Sequence, residues 1–380
     1  MAKKYHIIVF GCQMNVSDSE KVAAVLENAG YKKTAIMNEA DLVIVTMCSV
    51  RQAAVDRIFG LAEKFKKLNG PNGYPPKTIL TGCILKKDKK TFSGLFDHVL
   101  DTSELLNPKR ANKFFERANK LERANIFFRG EGAPQRGSPR RKKLLASEEI
   151  PPREKRIYIQ ISNGCNNFCT YCVVPYTRGR LVCRHHEKII KEAKDLIKKG
   201  VKEIWLFGQN VNDYSSPTDS LINFAELLKM VNALPGDFKI FFMSPNPKNF
   251  SDKLIKIMAE SKNFSRYLNL PVQAGDNEIL KRMNRPYTAE KYMALVKKIR
   301  KAMPDINLST DVIVGFPGET KKQFENTAKL FRKIKFNIAY INKYSPRRQT
   351  AAFKMKDDVP WLEKKRREKI LMDIINEKRK

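Results

Sequence analysis

Ile157-Tyr-Ile-Gln-Ile161 is an apolar strand pattern, and after Ser-Asn-Gly it runs into Cys165-Asn-Asn-Phe-Cys169-Thr-Tyr-Cys172. A strand ending in a ligand-bearing loop is how parallel α/β folds place their chemistry. Three of the chain's seven cysteines fall in this C-x3-C-x2-C run. Thiolate sulfur is a soft ligand that suits iron–sulfur clusters or zinc. Zinc ribbons offer paired C-x2-C hooks and four ligands, whereas this loop has three unequally spaced thiols and no histidine. A cubane held by three thiolates keeps one iron open to an outside ligand, a catalytic arrangement. Buried apolar thiols are a poor alternative beside Asn166, Asn167 and Thr170.

Onward from Ile157, strand patterns at 157–161, 201–206, 239–243, 267–270, 307–314 and 336–344 alternate with helical ones. Six βα units are too few for an eight-fold barrel, so 157–345 reads as a partial (β/α)6 barrel. Residues 346–380 read as a basic tail, with one charged helix over Pro360 to Lys380. Upstream, residues 1–107 also alternate, with strands at Tyr5 to Phe10, Leu42 to Thr46 and Thr78 to Thr81. This predicts an open parallel α/β sheet. Cys12, Cys48 and Cys83 lie just past those three strands, about one βα step apart. Strand ends of one parallel sheet converge, so a second metal centre on these thiols is favoured over three separate core cysteines. Cys183 is left as an ordinary thiol. His185 and His186 precede a helix expected near Glu187 and are expected at the surface.

Residues 108–156 read as a basic connector. Arg-Ala-Asn occurs three times, from Arg110, Arg117 and Arg123, on an expected amphipathic helix. Gly130 to Lys143 follows, rich in Gly, Pro and basic residues. The chain has 73 Lys and Arg against 40 Asp and Glu, a net charge of +33. The connector and tail are short, yet together hold +15 of it. Charge of that size calls for a polyanionic partner, nucleic acid first and a membrane surface second. No apolar run reaches the length of a membrane span, and the start is too short for a signal peptide. These features predict a cytoplasmic protein with reduced thiols and no disulfide framework.

The C-x3-C-x2-C run resembles that of radical S-adenosylmethionine (SAM) enzymes. Gly11-Cys12-Gln13-Met14-Asn15, Thr46-Met47-Cys48-Ser49-Val50-Arg51 and Thr81-Gly82-Cys83 resemble the methylthiotransferase branch of those enzymes. So do Cys172-Val-Val-Pro-Tyr-Thr-Arg-Gly-Arg180, Gly208-Gln209-Asn210-Val211-Asn212, Leu270-Pro271-Val272-Gln273 and Val314-Gly315-Phe316-Pro317-Gly318-Glu319-Thr320. The resemblance covers almost the whole chain. It implies two 4Fe-4S clusters: an auxiliary one on Cys12, Cys48 and Cys83, and a SAM-binding one on Cys165, Cys169 and Cys172. All six would be catalytic. It sets Tyr171 near the SAM adenine, with packing as the alternative role. Gln209, Asn210 and Gln273 are candidate SAM or substrate contacts, with loop hydrogen bonding as the alternative. Gly315 and Gly318 are turn glycines first and room for SAM second.

Gln13-Met14-Asn15 and Ser49-Val50-Arg51 are most similar to the branch that methylthiolates N6-isopentenyladenosine at tRNA position 37. The expected partners are the tRNA anticodon stem-loop, an electron donor and a sulfur donor, both unidentified, and no membrane. The expected state is a monomer. Two rivals remain: a sister enzyme acting on threonylcarbamoyl-adenosine or a ribosomal-protein aspartate, and a non-catalytic RNA-binding protein with zinc at both cysteine sets. The family usually closes with a small β-barrel, the TRAM domain. Its absence after Lys380 is an expectation, with tRNA held by basic surface or the chain truncated. Asn246 and Asn269 depart from a histidine common in relatives.

Overall fold

In the computed structural model of the chain, residues 2–49, 52–65, 68, 71, 74–107 and 156–377 are described. The Arg-Ala-Asn repeats, Gly130 to Lys143, Val50 and Arg51 lie outside them.

The N-terminal strands are β1 (Lys4–Phe10), β2 (Lys32–Lys33), β3 (Leu42–Cys48), β4 (Lys77–Cys83) and β5 (His98–Val99). They form one parallel sheet in the order β2-β1-β3-β4-β5. β3 reads Leu-Val-Ile-Val-Thr-Met-Cys and is buried along its whole length, as a central strand covered on both faces must be. Sequence reasoning placed Cys48 and Cys83 past their strands. Each is instead the last residue of one, because pairing of β3 with β4 runs on to Cys48 and Cys83 themselves. β2 and β5 have only two residues each, too short for a periodic signal.

The second half holds β6 (Arg156–Gln160), a hairpin of β7 (Ser162–Asn163) and β8 (Val182–Cys183), then β9 (Glu203–Phe207), β10 (Lys239–Phe242), β11 (Tyr267–Asn269), β12 (Asn307–Val314) and β13 (Ile338–Lys343). Six of these are parallel, in two three-stranded sheets, β6-β9-β10 and β11-β12-β13. An isolated parallel bridge from Ile240 to Phe264 links the two. No pairing joins β6 to β13 among the described residues, so the barrel is open. Ile159, Leu206, Phe242, Leu268 and Leu308 alternate outward into a helix-covered core with Phe331 and Phe336. Tyr158, Trp205, Phe241, Tyr267 and Tyr340 take the intervening positions. Trp205 stacks on Phe241 with centroids 4.2 Å apart.

The C-terminal helix Trp361–Glu377 is clamped to the barrel by charge. Arg367 is buried and pairs with buried Glu319 at 2.7 Å, and also donates to the Glu319 carbonyl. Glu319 in turn accepts the Gly315 amide at 2.6 Å. Gly315 has φ +68°, and a Cβ there would meet the Lys364 stem. Its positive φ fits the turn role expected of it, and the C-terminal helix packs against it through Lys364. Arg367→Ala leaves Glu319 buried without its cation, an expected loss of about 3–5 kcal/mol of stability, measured by denaturant unfolding.

Candidate active site

Cys12 stands at the N-cap of the helix Gln13–Asn28, directly after β1, while Cys48 and Cys83 are register partners at the tips of β3 and β4. Two contacts tighten this end of the sheet. Buried Asn15 donates from Nδ2 to the Met47 carbonyl at 2.7 Å, and Ser49 N donates to the Cys83 carbonyl at 3.0 Å. Gly82 has φ +103°, and a Cβ there would strike the Met47 carbonyl and Asn15, so no other residue fits between the strands. The three thiols meet. Cys48 shares side-chain hydrogen bonds with both Cys12 and Cys83. Those bonds and burial push Cys48 far up, so it keeps its proton. The bond from Cys48, helped by the Asn15 and Met14 amides and Arg178 against burial, holds Cys12 down to about 6. Cys83 is lowered by Cys48 and Arg178.

The other trio sits on a loop that β7 and β8 pinch shut. Gly164, at φ +81°, packs against the Arg180 carbonyl, with no room for a Cβ. Cys165 N donates to the Gly179 carbonyl at 3.2 Å, and Cys172 N to the Cys169 carbonyl at 2.9 Å. The far side is pinned to residues 282–284, with Thr170 Oγ1 donating to the Arg282 carbonyl at 2.8 Å and Asn284 Nδ2 to the Phe168 carbonyl at 3.1 Å. Buried Arg285 donates to Cys169 Sγ at 3.3 Å and to Tyr287 Oη at 2.9 Å. Burial raises Cys165 and pushes Cys172 up to about 12. Tyr171 is half-buried, its hydroxyl raised by burial with the Arg285 cation in opposition.

Arg178 ties the barrel's cysteine loop to the N-terminal trio. It lies six residues past Cys172, yet its Nε donates to Cys83 Sγ at 2.9 Å. The same guanidinium pairs with Asp18 at 2.8 Å, with the side chains 9% and 5% exposed. The sequence motif Cys172–Arg180 contains Arg178 but assigns it no role, and no motif signals Asp18 or Arg285. A cation in the loop after a thiol cluster was the available signal.

The remaining candidates spread around the first loop. Gln209 Oε1 accepts the Gly164 amide at 2.5 Å. Asn210 is buried and donates to Asp213, while its Oδ1 has no partner. Gln273 takes a left-handed φ of +68° and pairs by its backbone with β12. Asn246 caps the short turn Pro247–Asn249, and Asn269 donates to Asp311 at 2.8 Å. Both are satisfied locally. The helix starts at His186, next to Glu187 as expected, but contrary to expectation His186 is mostly buried and shares a hydrogen bond with Ser216 Oγ at 2.9 Å.

The class of protein follows from this barrel and loop. Residues 159–331 match the Radical SAM superfamily, and residues 4–101 match Uncharacterized protein family UPF0004. Two solved structures share the fold at low identity. A radical S-adenosylmethionine methyltransferase, TsrM, from Kitasatospora setae has TM-score 0.58 and 14% identity, over 90% of this chain and 72% of that one. The cobalamin-dependent S-adenosylmethionine radical enzyme OxsB has TM-score 0.57 and 11% identity, over 99% and 56%.

Sequence relatives are much nearer. The tRNA-2-methylthio-N(6)-dimethylallyladenosine synthase of Clostridium novyi is 41% identical over 99% of this chain and 81% of its own length. That of Carboxydothermus hydrogenoformans is 40% identical over 98% and 83%. The chain belongs to this family of radical SAM methylthiotransferases, whose superfamily chemistry uses SAM and a 4Fe-4S cluster. No described helix is long and apolar enough to cross a membrane.

In the metal-free protein, alkylation of Cys12 by iodoacetamide should rise with pH through a midpoint near 6, because the thiolate is the nucleophile. Cys172 should need a pH near 12. Arg178→Ala removes a cation that stabilises the Cys12 thiolate, so the Cys12 midpoint should move upward, as read by peptide mapping.

Proposed function

We propose that the chain is a tRNA methylthiotransferase that replaces the C2 hydrogen of N6-dimethylallyladenosine, beside the anticodon, with a methylthio group. The reading rests on one observation above all: Arg178, from the loop that carries Cys165, Cys169 and Cys172, donates to Cys83 beside its register partner Cys48. Among the described residues no three His, Cys, Asp or Glu side chains close on a single metal ion. A cubane asks for something else, since each thiolate takes its own iron. The donor sets are all-thiol, three and three, which suits clusters with an open corner.

Cys165, Cys169 and Cys172 would hold the SAM-binding cluster, and Cys12, Cys48 and Cys83 the auxiliary one. When bound, these groups supply radical chemistry for a C–H bond with no acidic proton, and the sulfur that replaces it. The chain's own part is to bind and aim. The pinched loop and Arg285 fix Cys169. Asn210 Oδ1, buried without a partner, is a ready acceptor for a polar hydrogen of SAM or substrate. Gln209 holds the loop at Gly164 and so positions it indirectly. Basic side chains would grip RNA phosphates, with affinity that falls as salt rises. An electron donor and a sulfur donor complete the reaction, and the chain would act as a monomer.

The test is anaerobic reconstitution with iron and sulfide, then incubation with SAM, a reductant and a prenylated anticodon stem-loop. Nucleoside mass spectrometry should find the 2-methylthio product. Cys48→Ala should lose that product, with iron content falling to about half. Full iron content or wild-type product from this variant would remove the auxiliary cluster from the scheme.

A further inference from the structure

A pocket of about 310 Å³ opens beside the N-terminal trio, lined by none of the six cysteines. It starts at Ser49, one residue past Cys48, and at Leu85, two past Cys83. One side of it is apolar, with Val55, Phe59, Leu85, Phe92 and Phe353, while Asp88 and Thr91 add a polar edge. Phe59 and Phe92 pack with ring centroids 5.4 Å apart. Phe59 is 42% exposed and Phe353 46%, unusual for aromatic rings in a wall that nothing covers. Arg347 and Arg348 complete the opening. Arg347 lies within electrostatic reach of Cys48, Asp56 and Asp88. At the inner end, Ser49 is 1% exposed and its Oγ has no hydrogen-bond partner. A buried hydroxyl left unpaired costs stability unless a ligand satisfies it.

We propose that this pocket holds the five-carbon prenyl group of the substrate adenosine, with Phe59 and Phe353 as specificity-determining residues and Ser49 Oγ hydrogen-bonding the edge of the base. The inference rests on the methylthiotransferase reading and adds the place where the prenyl group is recognised. Its geometry follows from the base itself. In adenine, C2 and the carbon bearing N6 flank the same ring nitrogen. A base with C2 turned toward the Cys12, Cys48 and Cys83 trio therefore points its N6 substituent to one side of it, a short reach away. The pocket begins at Ser49 and Leu85, next to Cys48 and Cys83 in the chain, and Arg347 in its lining interacts with Cys48. Its lining offers aromatic and aliphatic side chains for a branched hydrocarbon, and two arginines beside Asp88 that leave a net positive charge toward the polyanionic RNA. A base without the prenyl group would leave the aromatic walls wet, and a hydrophobic pocket discriminates on that basis by about tenfold or more.

Two readouts on the reconstituted full chain separate this inference from the reading beneath it. The first is equilibrium binding of anticodon stem-loop RNA with and without the N6-prenyl group. The second is methylthio product from the prenylated RNA. Wild type should bind the prenylated RNA about tenfold or more tightly. Phe59→Ala truncates an exposed wall, and Thr91→Trp fills the pocket from an exposed position. Each should bring the two affinities together, with iron content and thermal midpoint as in wild type. Unchanged discrimination in both variants overturns the pocket. Lost discrimination in the variants, with no methylthio product from wild type, keeps the pocket and overturns the proposed reaction. Equal wild-type affinity for the two RNAs overturns the pocket whatever the product.

Discussion

The Arg178 guanidinium is the most enclosed polar contact described between the N-terminal sheet and the barrel's cysteine loop. It comes from the cysteine loop of the barrel, ion-pairs with Asp18 on the first helix and donates to Cys83 at the tip of β4. Taking a carboxylate and a guanidinium out of water is costly, and the cost is offset only when geometry and further hydrogen bonds are good. Here the guanidinium also reaches toward Asn163 in the β7 strand. A pair this enclosed does not tolerate sliding of one half against the other. It therefore holds the barrel's cysteine loop against the tip of β4.

Around that contact, local strain and packing do the fine placement. The same device recurs on both sides: a glycine with positive φ where a carbonyl approaches too closely for a side chain, Gly82 beside Met47 and Gly164 beside Arg180. Each lets a backbone pass tightly next to a cysteine. The protonation pattern differs between the trios. The N-terminal set is polarised, with Cys48 donating and its neighbours lowered. In the barrel loop burial dominates, and Cys165 and Cys172 are raised.

Much of this was legible in the sequence, because cysteine spacing and strand periodicity are local signals. The six parallel barrel strands lie within about two residues of where the apolar runs put them. The convergence of Cys12, Cys48 and Cys83 followed from strand ends in a parallel sheet. What escaped was non-local. Asp18 and Arg178 are far apart in the chain, and nothing in either segment advertises the other. The packing of Lys364 from the C-terminal helix against Gly315 likewise joins segments far apart in the chain. His186 looked exposed because its partner, Ser216, arrives from a distant loop.

The stacked pair at Trp205 and Phe241 has a practical side. The chain has only two tryptophans, and they occupy opposite surroundings. Trp205 lies on the concave face of the barrel against an aromatic ring, while Trp361 is exposed at the start of the last helix, near the Lys343 and Lys365 ammonium groups. Intrinsic emission thus carries two resolvable colours, one answering to what fills the barrel and one to whether the closing helix is seated, with no added dye.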